Sequence, residues 1–313
     1  VTSKVRFTLL FAALIPISTA SAGPPVEGWR NLFEDFDTFR VEATLEKAGN
    51  GGSWTKVAES RLAWDNGRFS GDFRRIPVLG GEPTFTRRKG DGTRFSTVDS
   101  GTRTVTVHES PAEFPDPSLA VNPLAIAFFF VSGPGRPLSI EVLRSPRTWE
   151  SLEVSELSPP PAPLLALAGD GPMNWWRVTN AHGFEYHVAT SQGGLSEGLP
   201  SLVALVGPAA GTDNYAFVNS MEEWAAVARE GGREVPVPAR IMLYVPGPAG
   251  ALEPFQRVLS PAVDWQFPAL IADSEFQLDR AWEDFRVLDE TAPPAGGPST
   301  APPRCAVQPL GSP

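Results

Sequence analysis

Two short motifs and one pair of histidines have the residue types and spacing from which chemistry could be built. Gly194-Leu195-Ser196-Glu197-Gly198 matches G-x-S-x-G, the sharp turn that lifts a nucleophilic serine off the end of a strand. That chemistry needs a helix after the turn and a base histidine further along. Here Leu199-Pro200 follows, and no histidine lies beyond His187, so the stretch reads as a glycine-rich turn. Asp99-Ser100-Gly101-Thr102 follows Thr97-Val98 and has the form of a loop carrying one of two carboxylates that share a proton and activate water. A second copy is missing, so a catalytic pair would need a homodimer with Asp99 at its twofold axis. The plainer reading is a hairpin turn between two alternating strands. His182 and His187 flank a turn, and strand alternation sets His187 opposite Phe184 and Tyr186, on the side expected to face solvent. With three histidines and a lone cysteine, Cys305, no converging ligand set can be assembled, and neither a metal nor another cofactor is expected.

What remains for function is apolar surface. The 313 residues include nine Trp and 19 Phe, which either fill a core or line a groove for a ligand. Charge argues against nucleic acid. Lys and Arg number 26 against 36 Asp and Glu, for a net charge of −10, and Arg87-Arg88-Lys89 is a local basic run inside an acidic chain. The first residues have the three parts of a secretory signal: Lys4 and Arg6, an apolar run over residues 7–17, and Ala20-Ser21-Ala22 before Gly23. Cleavage is expected after Ala22, making residues 1–22 the signal peptide. No later stretch approaches the roughly 20 apolar residues of a membrane-spanning helix, so no transmembrane anchor is expected after cleavage, and the mature chain is expected to be periplasmic or secreted. Residues 291–313 are rich in Pro and Gly and are expected to be a disordered tail.

The elements that would position the aromatic residues are mostly strands. In residues 55–76 the centre is Asp65-Asn66-Gly67-Arg68, and Asn-Gly is the pair a two-residue type I′ turn requires. Such a turn sets Trp64 opposite Phe69, Leu62 opposite Gly71 and Ser60 opposite Phe73. One face then collects Leu62, Trp64, Phe69 and Phe73; the other, expected to be wet, collects the pairs Asp65/Arg68, Arg61/Asp72 and Glu59/Arg74. Before this hairpin, Trp29, Leu32, Phe33 and Phe36 make one face of a short helix, and Phe39, Val41, Ala43 and Leu45 alternate along a first strand. Strands over residues 84–89, 93–98 and 102–108 complete a six-strand meander that must curl. Residues 118–131 then break the rhythm. Asn122-Pro123 opens a stretch apolar on all sides, the pattern of a helix buried in the concavity. Further strands are expected around residues 138–143 and 149–157, then a Pro-rich excursion at 158–163. The grammar resumes with Trp176 and Val178, and with Tyr186 and Val188. Ser220 and Glu223 have capping-box spacing ahead of Trp224-Ala225-Ala226-Val227-Ala228, which predicts a short helix ending at Gly231-Gly232. Late strands are expected over 239–245 and 255–267, and a last helical turn over 279–285. Residues 23–290 are read as a single β-rich half-barrel domain.

This order of elements resembles the superfamily of periplasmic lipoprotein carriers and outer-membrane lipoprotein-sorting proteins. The resemblance is carried by Phe39-Arg40-Val41-Glu42-Ala43, by the paired strands Arg61-Leu62-Ala63-Trp64 and Arg68-Phe69-Ser70-Gly71-Asp72-Phe73, by Asp91-Gly92-Thr93 at the next turn, by the buried helix, and by Trp175-Trp176-Arg177-Val178 and Leu199-Pro200-Ser201-Leu202 later on. It implies a mainly β fold, an open, strongly curved antiparallel half-barrel sheet with a few short helices covering its concave face. It also implies a non-catalytic carrier whose partner is a lipid, an acyl chain or a lipoprotein. Alternation nominates Leu62, Trp64, Phe69, Phe73, Trp176 and Tyr186 as the ligand-binding lining. The competing expectations are a structural or assembly protein of the envelope whose concavity is filled by its own Phe128, Phe129 and Phe130, and a homodimeric enzyme resembling aspartic proteases through Asp99. Nothing in the chain sets its oligomeric state.

Overall fold

The computed structural model describes residues 24–78, 80–108, 122–134, 138, 140–168, 171–207, 215–247, 250–277, 282 and 284–289. The strands in chain order are β1 (Thr38–Ala48), β2 (Trp54–Asp65), β3 (Arg68–Arg75), β4 (Thr84–Gly90), β5 (Phe95–Asp99), β6 (Thr104–His108), β7 (Glu153–Glu156), β8 (Met173–Thr179), β9 (Glu185–Ser191), β10 (Pro200–Val206), β11 (Tyr215–Ala228), β12 (Glu234–Pro246), β13 (Leu252–Leu259), β14 (Trp265–Gln266) and β15 (Arg286–Asp289). The short helices are α1 (Val26–Leu32), α2 (Pro123–Ala127), α3 (Ile140–Arg144), α4 (Pro146–Glu150) and α5 (Ala162–Ala168). All strands join one unclosed sheet in the order β15-β6-β5-β4-β3-β2-β1-β13-β12-β11-β10-β9-β8-β7, with β14 extending the β13 side of β1. The first strand is thus central, and two meanders spread from the β1/β13 seam, where Thr44 faces Leu259 and Leu45 faces Val258. Pairing is antiparallel throughout this path except at the edge, where β15 lies parallel to β6. The architecture is the expected open half-barrel.

The central hairpin has the expected register, from Asp65 opposite Arg68 to Glu59 opposite Arg74. Asn66 and Gly67 take φ of 47° and 94°, as the turn demands. Helix α5 lies on the outer face of the sheet, and the inner face carries α1 to α4. Trp29, Leu32, Phe33 and Phe36 are buried on it, and α2 with the 3-10 turn Phe129–Val131 realises the helix expected within 118–131; residues 118–121 lie outside the described set. Asn122 caps α2 by accepting the Leu124 and Ala125 N–H groups. Asn219 Nδ2 of β11 donates to Ile126 O at 3.1 Å and Asn180 Nδ2, in the turn after β8, to Phe130 O at 3.2 Å, so two side-chain amides satisfy carbonyls that helical turns this short leave open. The centre is aromatic: Trp29 meets Phe130 at 5.1 Å, Phe33 meets Phe128 at 4.9 Å, and Trp149 stacks on Phe33 at 5.8 Å.

Four expectations are corrected. Residues 220–228 are strand, not helix: all of them lie within β11, whose Val227 pairs with Val235 of β12. The buried run Val235, Val237, Ala239 and Ile241 needs a partner strand, and that contact overrides a capping-box signal worth only local energy. The segment expected as a strand at 138–143 instead contains α3, where Ile140 and Leu143 bury one helical face. Within 149–157 only β7 is strand, and Trp149 sits in α4 with its Nε1–H donated to Leu143 O. The outer face of the hairpin is not wholly wet. Ala63 is buried against Ile271 and Phe276, and Arg40 and Arg68 pair with Glu275 and Asp273 of the same crossing segment. Of the three cross-strand charge pairs, Asp65/Arg68 and Glu59/Arg74 form, whereas Arg61 turns to Glu42 and Asp72 to Arg87. Glu42, Arg61, Asp72 and Arg87 lie directly across neighbouring strands, so an alternating row of charges has two ways to pair, and here it pairs from its ends. The turn expected over 279–285 falls largely outside the described residues.

Candidate functional site: an apolar shelf on the inner face

The six nominated side chains all lie on the inner face, yet they divide into two environments. Trp64, Trp176 and Tyr186 are buried in the main core. Tyr186 packs edge-on against Phe129 at 5.2 Å, and Trp176 donates Nε1–H to Thr190 Oγ1 at 3.1 Å. Burial alone drives the Tyr186 hydroxyl far above its ordinary titration range, so it stays neutral at every physiological pH. Leu62, Phe69 and Phe73 are only half-buried and lean against the edge of that core.

These three form a continuous shelf because β2 and β3 present them in successive cross-strand rows. Trp64 and Phe69 are one row, Leu62 and Gly71 the next, and Ser60 and Phe73 the third. Beyond Phe69 the row continues through Gly90 of β4 to Phe95 of β5. Gly90 has a specific role: a Cβ there would come within 2.5 Å of the Phe95 ring and 2.8 Å of the Phe69 ring, so only glycine lets the two rings stack at 5.6 Å across it. The result is an aromatic row in which Trp64 and Phe95 are buried and Phe69 between them is half-open, flanked by Arg88 and His108 on the same face of β4 and β6. Alternation along β2 and β3 is enough to find the first three residues. Phe95 could be found only through the register of two further strands.

The motifs with catalytic form are spent on structure. Asp99 Oδ1 accepts the Thr102 N–H at 2.9 Å and Ser100 Oγ accepts the Phe85 N–H at 2.9 Å, which makes the Asp-Ser-Gly-Thr stretch a self-bonded turn. Ser196 is held by Ser191, whose Oγ lies 2.9 Å from its Oγ and donates to its carbonyl at 2.6 Å. His187 corrects an expectation: it is 3% exposed rather than solvent-facing. Its Nδ1 lies 2.9 Å from the Tyr215 hydroxyl and its Nε2 3.2 Å from Glu185 Oε1. Alternation did place it on the outer face, but α5 and the outer cluster around Leu164, Trp175 and Tyr215 cover that face. Desolvation pulls the His187 pKa below its ordinary value against the opposing pull of Glu185. Among the described residues no group of three or more His, Cys, Asp or Glu converges as a metal site would require.

No family model and no curated protein sequence matches the chain. Among solved structures it is similar to a LolA superfamily protein from Nitrosomonas europaea, with a TM-score of 0.41 and 9% identity over 80% of this chain and 97% of that one. It is also similar to a putative outer membrane lipoprotein-sorting protein domain from Vibrio parahaemolyticus, with a TM-score of 0.43 and 7% identity over 80% and 97%. A conserved protein of Thermus thermophilus gives a TM-score of 0.31 and 10% identity over 84% and 98%.

Proposed function

We propose that this chain is a non-catalytic, exported binding protein of the cell envelope that holds an apolar or acyl-bearing ligand on the inner face of its half-barrel. The observation that supports this reading is the shelf of Leu62, Phe69 and Phe73, apolar surface left half-open beside a core that is otherwise closed. Apolar area in that position is stabilised by a guest at about 25 cal/mol per Å² removed from water. Trp64, in the same cross-strand row as Phe69, then closes the shelf on its core side, and Gly90 lets the Phe69 and Phe95 rings stack.

A second reading has an observation of its own. Phe128, Phe130 and Trp149 fill the concavity beside α1, which is what an envelope assembly protein without a small ligand would also show. Native mass spectrometry of the protein purified from its own envelope fraction separates the two, since copurified lipid or lipopeptide supports the carrier and a partner chain supports assembly. Titration with a fluorescent fatty acid gives the quantitative test. Saturable binding that is displaced by palmitate, and that Phe73→Glu weakens about tenfold or more, is the expected result. A bare protein with no saturable uptake would overturn the proposal.

A further inference from the structure

Strand β10 begins at Pro200 while β11 runs on to Ala228, and two irregularities in the β11/β12 pairing between Met221 and Trp224 bend the longer strands away at that step, where residues of the inner and the outer cluster meet. A cleft of about 480 Å³ opens there, bounded on one side by the last turn of α5 at Leu167. Its volume is in the range of small-molecule sites. Its chemistry is unlike that of the shelf. Ser201, Ser220 and Tyr244 bring hydroxyls to it beside the mutually bonded pair Ser191 and Ser196, Trp224 brings an aromatic ring, and Glu222 is the one charged group among its described lining residues. Trp224 is fixed by donating Nε1–H to Pro200 O at 3.0 Å and by an edge contact with Phe128.

We propose that this cleft binds a neutral saccharide. A sugar presents hydroxyls that both donate and accept, and serine and tyrosine hydroxyls can answer in either sense. Its C–H faces pack on an indole ring, and a carboxylate is a strong acceptor for its hydroxyl protons. The alternatives fit less well. A phosphate or carboxylate would meet Glu222 with no arginine or lysine among the lining residues to offset it. An acyl chain would cover the hydroxyls without pairing them, leaving their desolvation uncompensated. Glu222 also helps to raise the Tyr244 hydroxyl pKa, secondary to burial, which keeps that group a neutral donor.

The test uses the full mature chain and calorimetric titration with maltotriose and N,N′-diacetylchitobiose, with glucosamine and glucose 6-phosphate as the cationic and anionic probes. The expected result is saturable binding of a neutral saccharide, weakened about tenfold or more both by Glu222→Gln, which removes an exposed charge, and by Leu167→Trp, which fills the cleft. Fatty-acid binding at the shelf should be unchanged in both variants, which keeps this site separate from the proposed function. Failure of every neutral saccharide to bind, binding of the charged probes alone, or neutral binding that survives Leu167→Trp would each overturn the proposal.

Discussion

At the residue scale, the same aromatic type does two jobs, and truncation should tell them apart. Trp64 is 4% exposed and Phe69 half-buried on adjacent strands of one row. Trp64→Ala should cost about 3–5 kcal/mol in denaturant unfolding, as expected for a closed core. Phe69→Ala should cost about half that and abolish fatty-acid binding, because the ring it removes belongs to the floor of the shelf. His187 carries the pH signature. Its folded pKa is depressed, so the unfolded chain binds more protons, and the stabilisation from the neutral imidazole is complete above its unfolded value of 6.5 and declines as pH falls through it. The groups facing the ring are Glu185, Arg177 and Tyr215. Melting curves from pH 7.5 to pH 5.5 should therefore show a loss of stability that is largely absent in His187→Gln; equal slopes would remove His187 from the account.

At the element scale, α2 is five residues long and could not persist alone. It is held by burial on all faces and by hydrogen bonds at both ends, with Asn122 at its start and Asn219 answering the Ile126 carbonyl near its end, while Asn180 answers Phe130 O in the 3-10 turn that follows. Asn219→Ala should leave Ile126 O buried without its donor, at about 1–3 kcal/mol. Amide exchange measured by mass spectrometry should then rise in α2 before it rises in β10 or β12. The N-terminal helical segment is tied down differently: Arg229 donates to Asp35 O at 3.0 Å and to Asp37 Oδ1 at 2.7 Å, and Arg233 pairs with Asp35 at 2.8 Å. Desolvation raises the Asp35 pKa in spite of both arginines, so this tie organises the β11/β12 turn more than it stabilises the fold.

At the scale of the whole molecule, the central place of β1 couples the two meanders, since β1 pairs with β2 on one side and with β13 and β14 on the other. The chain before and after the Pro-rich loop contributes to the same sheet. We therefore propose that residues 23–290 fold as one unit, and unfolding followed by tryptophan fluorescence and by far-UV circular dichroism should give coincident single transitions. Two separated transitions, assignable to the strands before and after residues 158–163, would show that the halves fold apart. Each half is also covered on its outer face: α5, which precedes β8 in the chain, lies over β8–β11 through Leu164, and the later residues Ile271 and Phe276 lie over the central hairpin.

The sequence by itself determined whatever depends on short-range geometry. Asn66-Gly67 and period-two alternation set the hairpin register to the residue, because a one-residue slip would exchange its aromatic and charged faces. The apolar stretch from Pro123 to Val131 is buried because no face of it is suited to water. Alternation likewise put Leu62, Phe69 and Phe73 on one face before any partner strand was known. Only the tertiary structure decided which apolar faces stay open. Trp64 and Phe69 carry the same sequence signal, and they differ because packed elements close over one and stop short of the other. His187 and Ala63 lie on faces that alternation marks as outer, and they are buried by α5 with its cluster and by residues 271–276, elements outside their own strands. Residues 220–228 became strand because the buried run of β12, the next strand in the chain, pairs with them. Burial and pairing are properties of what arrives from elsewhere, and local spacing does not encode an arrival made by another segment.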